Sequence, residues 1–239
     1  MKKHSFSSKL IFLYICIGLV VLTITFVGDK AITVASLNTP LVRKHCIVID
    51  AGHGFPDGGT TSVTGVLECS LNLQIAEKSA AIMNLLGVQT FMTRLTEESI
   101  YTKGETIAQK KVSDIRNRVD IVNKTKNAIL ISIHQNYFTD SQYRGTQLFY
   151  ADTQGSQDLA RNIQEAFVKA LQPSNNRKTK KSNGVYLLEH INCTGVLVEC
   201  GFLSNAEEDA LLKNASYQKQ VAGIIAVCAS NYLDRLNEN

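Results

Sequence analysis

The 239-residue sequence has no tryptophan, three prolines, no internal repeat and no low-complexity tract. Nothing in this composition suggests disorder or collagen-like repetition. Its six cysteines include no C-x-x-C pair and no zinc-ribbon spacing. Cys16 falls in an apolar run, and the remaining Cys46, Cys69, Cys193, Cys200 and Cys228 are odd in number, which argues against a complete disulfide framework. They read as small buried hydrophobes. Strong charge is missing too: Lys2, Lys3, Lys9 and Lys30 against Asp29 supply three of the formal +4. The remainder is close to neutral, so no nucleic-acid partner is indicated.

One long apolar run is present. Residues 10–27 form eighteen positions without a charge, about 27 Å of helix against a roughly 30 Å hydrocarbon core. Lys2, Lys3 and Lys9 precede it, and the positive-inside rule then sends the rest of the chain outside. A signal cleaved near residues 33–36 is the alternative to an uncleaved anchor. The expected organisation is an N-terminal membrane anchor or signal over residues 1–30, a linker over 31–44 and one folded domain over 45–236. The domain is exported in either case, membrane-anchored or secreted.

The domain is organised around residues 46–59, CIVIDAGHGFPDGG. Ile47, Val48 and Ile49 are β-branched and continuous, as in a strand buried on both faces. The glycines after Asp50 turn the chain and hold His53 just past the strand end. An apolar face through Leu71, Ile75, Ile82 and Leu86 predicts a helix closed by Gly87, and residues 88–93 a strand. Residues 96–111 read as an exposed excursion. Asp114 is a plausible cap for a helix over 114–124, and residues 128–133 a second buried strand ending at His134. Further strands are expected at 146–150, 185–188 and 195–199, the last ending at Glu199. Helices are expected at 157–171, after Asn205, and through Val221, Ile225 and Tyr232. Residues 173–183 carry a basic run read as a solvated loop. This alternation implies an α/β fold, a single domain with a mostly parallel central sheet flanked by helices.

Sites in such sheets form outside the carboxyl ends of the strands. His53, His134 and Glu199 each stand at or beyond such an end, and Glu68 lies where the chain returns from the His53 loop. Two imidazoles and a carboxylate are the ligand set of a catalytic zinc, and a second carboxylate beside it can move protons during amide hydrolysis. Spacing leaves open which glutamate does which. Cys200 cannot readily share a site with Glu199, because strand neighbours face opposite sides, and Cys69 is likewise read as structural.

VIDAGHGFPDGG at 48–59, GVLECSLNL at 65–73, MTR at 92–94, SIHQN at 132–136 and LVECGFLSN at 197–205 together resemble the zinc-dependent N-acetylmuramoyl-L-alanine amidases. The resemblance runs from about residue 47 to 233. It implies a zinc cofactor on His53, Glu68 and His134, with Glu199 as the catalytic carboxylate. It also implies peptidoglycan as substrate, cleaved between N-acetylmuramic acid and L-alanine. Asn136 is expected beside the metal and Arg94 and Arg118 stand in family-like positions, either to orient substrate or to pack structurally. Ala51, Phe55, Gln135 and Tyr137 depart from the family pattern around the ligands. A single N-terminal membrane segment without a wall-binding repeat resembles the germination-type spore-cortex members, which strip stem peptides ahead of muramic-lactam formation. An activating protein partner is compatible with that type. The competing readings are a zinc peptidase or deacetylase and a non-catalytic peptidoglycan-binding module.

Overall fold

Side-chain alternation decides which face of the sheet each helix covers. The computed structural model describes residues 43–238, so the expected anchor or signal and nearly all of the linker lie outside the described residues. Its strands are β1 (Cys46–Ala51), β2 (Thr90–Met92), β3 (Ala128–Asn136), β4 (Gln147–Tyr150), β5 (Lys180–Lys181) and β6 (Gly195–Phe202), in the order β2-β1-β3-β6-β4-β5. β1, β2, β3 and β6 are mutually parallel, and β4 runs antiparallel to β6. The helices are α1 (Glu68–Leu85), α2 (Ile107–Lys124), α3 (Ser156–Ala170), α4 (Tyr186–His190), α5 (Ala206–Lys213) and α6 (Ala215–Glu238). Among the described residues no helix is long and apolar enough to cross a membrane.

Ile47, Ile49, Ile129, Ile131, Ile133, Val196, Val198 and Cys200 point to the larger core, under α1, α3, α5 and α6. Val48, Leu130 and Leu197 point the other way, under α2 and α4. On that second face the next side chains toward the carboxyl ends are Asp50, Ser132, His134 and Glu199. An apolar floor therefore turns polar at the rim, which explains why a continuous β-branched run ends abruptly in chemistry.

A buried ion network fastens α2 to this rim. Arg118, 1 % exposed, donates to Asp50 at 2.6 Å, to Asp114 at 2.8 Å and to the Ala51 carbonyl at 2.7 Å. Asp50 also accepts from Thr93 Oγ1 at 2.7 Å and Ser132 Oγ at 2.6 Å. Burial alone would raise the Asp50 pKa, but Arg118, both hydroxyls and His134 more than offset it and bring it to about 2.

Three expectations are corrected. Residues 185–188 form no strand; the short helix α4 begins at Tyr186, because so brief an apolar run cannot separate a strand from a buried helical turn. The segment 96–111 is not wholly an excursion, since α2 starts at Ile107 behind a capping box of Thr106 and Gln109. Asp114 is thus an interior helix residue that pairs with Arg118 and accepts the Ile100 N–H at 2.7 Å. Finally β3 and β6 continue past His134 and Glu199, which sit as register partners within the strands.

Replacing Arg118 by Leu leaves two buried carboxylates without their cation and should lower stability by about 3–5 kcal/mol in urea unfolding at neutral pH. Asp50 sits below its ordinary 3.8 in the folded state, so its contribution is present at neutral pH and is lost as pH falls through about 4 to about 2. Asp50→Asn should flatten the stability profile in that window, and an unchanged acid slope would contradict the assignment.

Candidate metal centre

β1 ends at Ala51 and the chain turns at once. A Cβ on Gly52 would stand 2.2 Å from His134 Nε2, so only glycine lets the loop pass this close to the imidazole. His53 follows with φ of 60°, a left-handed conformation that a side chain makes costly. Surrounding bonds hold it there, as strain at a site requires. Arg118 Nη2 donates to the His53 carbonyl at 2.6 Å, and Arg94 donates to the Ala51 and Gly52 carbonyls at 2.8 and 3.1 Å. The His53 ring meets Asp57 Oδ2 through Nδ1 at 3.0 Å, which turns Nε2 toward Glu68. The Asp57 carboxyl is held well below the usual carboxylate range by its bond to His53 and by Lys111 at 3.1 Å, against the effect of burial.

Glu68 opens α1 and is 2 % exposed. Its Oε2 accepts from Thr60 N at 3.0 Å and Thr60 Oγ1 at 3.1 Å; its Oε1 accepts from Asn72 Nδ2 at 3.3 Å and Gln135 N at 3.2 Å. The same Oε1 lies 3.5 Å from His53 Nε2 and 3.1 Å from His134 Nδ1. Burial works against ionisation, but His134, His53 and Thr60 outweigh it and bring the pKa to about 2. Gly59, at φ 72°, runs past so closely that a Cβ would meet Glu68 Oε2 at 2.6 Å.

His53, Glu68 and His134 each offer one donor atom, all within 4.8 Å of one another. Tetrahedral ligands with bonds of about 2.0–2.1 Å stand about 3.3 Å apart, and the two spacings from Glu68 to the imidazoles, 3.1 and 3.5 Å, bracket that value. The Asp57–His53 bond is the outer contact that fixes the tautomer and aim of a metal-binding imidazole. Asp57 escaped the sequence reading because one acid in a glycine-rich turn is equally a turn residue.

Glu199 lines the same cavity as His53 and His134, a space of about 700 Å³ walled by α2 and α4. Its Oε2 is buried without a hydrogen-bond partner among the described residues. Burial, with the Glu68 charge adding to it, pushes its pKa up to about 8. Arg94 is buried and spends its guanidinium on backbone carbonyls, including those of Thr96 and Cys69 at 2.7 Å each. Arg118 reaches the cavity floor with its donors committed to the network already described. Asn136 lies beyond a register shift in β3, its carbonyl accepting the Leu203 N–H at 2.8 Å, and it does not line the cavity. Besides its backbone N–H on Glu68, Gln135 donates its side-chain amide at 3.2 Å to Asn72 Oδ1. Cys200 packs in the core and the five described cysteines are free.

Residues 47–230 match the family model described as N-acetylmuramoyl-L-alanine amidase. This chain belongs to that amidase family. It is 33 % identical over 188 residues to the germination-specific N-acetylmuramoyl-L-alanine amidase of Bacillus subtilis (strain 168), covering 78 % of each chain. Its fold is similar to the CwlD amidase from Clostridioides difficile, solved in complex with the GerS lipoprotein, at TM-score 0.76 and 35 % identity over 80 % of this chain and 98 % of that one. An N-acetylmuramoyl-L-alanine amidase from Clostridium difficile 630 superposes at TM-score 0.70 and 29 % identity, again over 80 % and 98 %. The chain is thus an amidase of the cell wall, acting on peptidoglycan with a metal-binding cluster at its centre.

Because the Gly52 passage sets where His134 can stand, Gly52→Ala should lower affinity for a divalent metal by at least about tenfold, read by equilibrium dialysis, while circular dichroism stays native. Full metal loading in a folded Gly52→Ala variant would rule out this steric role.

Proposed function

We propose that His53, Glu68 and His134 hold zinc and that Glu199 moves the protons in hydrolysing the amide between N-acetylmuramic acid and L-alanine. The observation that carries this reading is one buried carboxylate oxygen facing two imidazole nitrogens at 3.1 and 3.5 Å, with the unpartnered Glu199 oxygen in the same cavity. When bound, zinc supplies Lewis acidity and lowers the pKa of water toward about 7. Glu199 takes a proton from the attacking water and returns it to the amide nitrogen, so that the lactyl carboxylate and the free amine of L-alanine separate. Asp57 holds the His53 ring through Nδ1, and Thr60 and Asn72 fix both oxygens of Glu68. Arg94 and Arg118 brace the loop carrying His53 rather than touching substrate, and Asn136 helps close the rim through its backbone.

The fold over residues 45–236 is the catalytic domain in this reading, carried outside the membrane by residues 1–30 as anchor or signal. Similarity to the germination-specific relative supports a role in removing stem peptides from spore cortex before muramic-lactam formation. The relative solved with a lipoprotein supports an extracytoplasmic protein partner for this chain as well.

Purified muropeptides incubated with and without chelator, with products identified by mass spectrometry, test bond, metal and turnover together. Release of intact stem peptide with a free L-alanine amine, abolished by chelator, is expected; cleavage within the peptide or loss of an acetyl group would favour a peptidase or deacetylase. Glu199→Gln should keep its metal and lose about 10²–10⁴-fold in rate, whereas His134→Ala should lose the metal. Undiminished turnover by Glu199→Gln would refute its role.

A further inference from the structure

Beside the metal cluster, α2 carries a row of basic side chains, and all but one of those near the cavity are engaged. Lys111 pairs with Asp57 at 3.1 Å, Arg118 with Asp50 and Asp114, and Lys110 lies over the Tyr101 ring at 4.8 Å. Arg116 is exposed and has no ion-pair partner among the described residues. It also stands at a junction, lining both the cavity that holds His53, His134 and Glu199 and a second groove of about 440 Å³ across α2. That second groove is lined by Lys103, Gly104, Ala108, Gln109, Val112, Ser113 and Arg116, two cations and no acid. In the first cavity Asp50, Asp57 and Asp114 are already paired, and Val112, Ile115 and Leu187 supply an apolar wall.

Such a path, apolar near the cluster and cationic beyond it, suits an acidic peptide. We propose, resting on the amidase reading above, that the stem peptide leaves the metal cluster along α2 and that Arg116 binds the free α-carboxylate of its second residue. That residue is a γ-linked D-glutamate whose α-carboxyl is free in some cell walls and amidated in others, so Arg116 is a specificity residue for the free acid. Arg116 lines the same cavity as His53 and His134, and two extended residues span about 7 Å. A guanidinium fork matches a carboxylate in two parallel bonds, which an amide cannot reproduce with the same charge assistance.

The test compares two muropeptides differing only in that α-carboxyl, free or carboxamide, with the zinc-loaded full chain. The wild type should favour the free acid in kcat/KM by roughly tenfold to a hundredfold, expressed in KM. Arg116→Gln should bring that ratio to about one with kcat on the free acid held, and Arg116→Lys should restore part of it. Equal use of both substrates by the wild type, or a preference that survives in Arg116→Gln, would overturn the proposal. If the wild type cleaves neither, the amidase reading itself falls, and the subsite with it.

Discussion

A single ionised carboxylate, Glu68, buried to 2 % exposure, is what the rest of the rim is built to satisfy. An isolated charge at that depth would cost several kcal/mol. Its compensation comes from three separate pieces of chain: the loop after β1 gives His53 and Thr60, α1 gives Asn72, and β3 gives His134 and the Gln135 N–H. The charge is stable only when all three have docked, so folding of the sheet and assembly of the cluster are one event. Gly52 and Gly59 are where this crowding leaves no room for a Cβ.

The two glutamates at the rim are chemically identical and end up opposite in character. Glu68 has donors on both oxygens and is brought to about 2, while Glu199, half-buried at the cavity wall with no donor on its inner oxygen, is pushed to about 8. Environments that drive a pair apart in this way separate a permanently charged group from one able to exchange a proton. This supports reading Glu68 as ligand and Glu199 as acid-base, a distinction that strand-end position alone left open.

The mostly parallel sheet and its flanking helices were legible because double-buried strands read as near-continuous apolar runs, as Ile47 to Ile49 in β1 and Ala128 to Ile131 in β3 do. The cluster was legible through coincidence: His53, His134 and the acid on β6 all fall at one end. Less visible was anything decided by tertiary contact. The helical turn at 186–190 exists because Leu187 and Leu188 pack on the α2 side of the sheet, which four apolar letters cannot announce. The true start of α2 was encoded in Thr106 and Gln109, but Asp114 offered a rival cap and is instead drawn inward by Arg118. Arg94 and Arg118 occupy family-like positions, yet only geometry reveals that their donors go to backbone and buried acids.

α2 therefore has two tasks that helical geometry keeps apart. Residues two apart on a helix differ by about 200° around its axis, so Arg118 turns to the sheet and holds the His53 loop while Arg116 turns to solvent and lines the cavity edge. The inner residue is fixed by buried charges that would be stranded without it. The outer one carries no such constraint and can vary without moving a ligand. A helix arranged in this way lets its outer face change while its inner face keeps the His53 loop in place, provided the ion network beneath it stays whole.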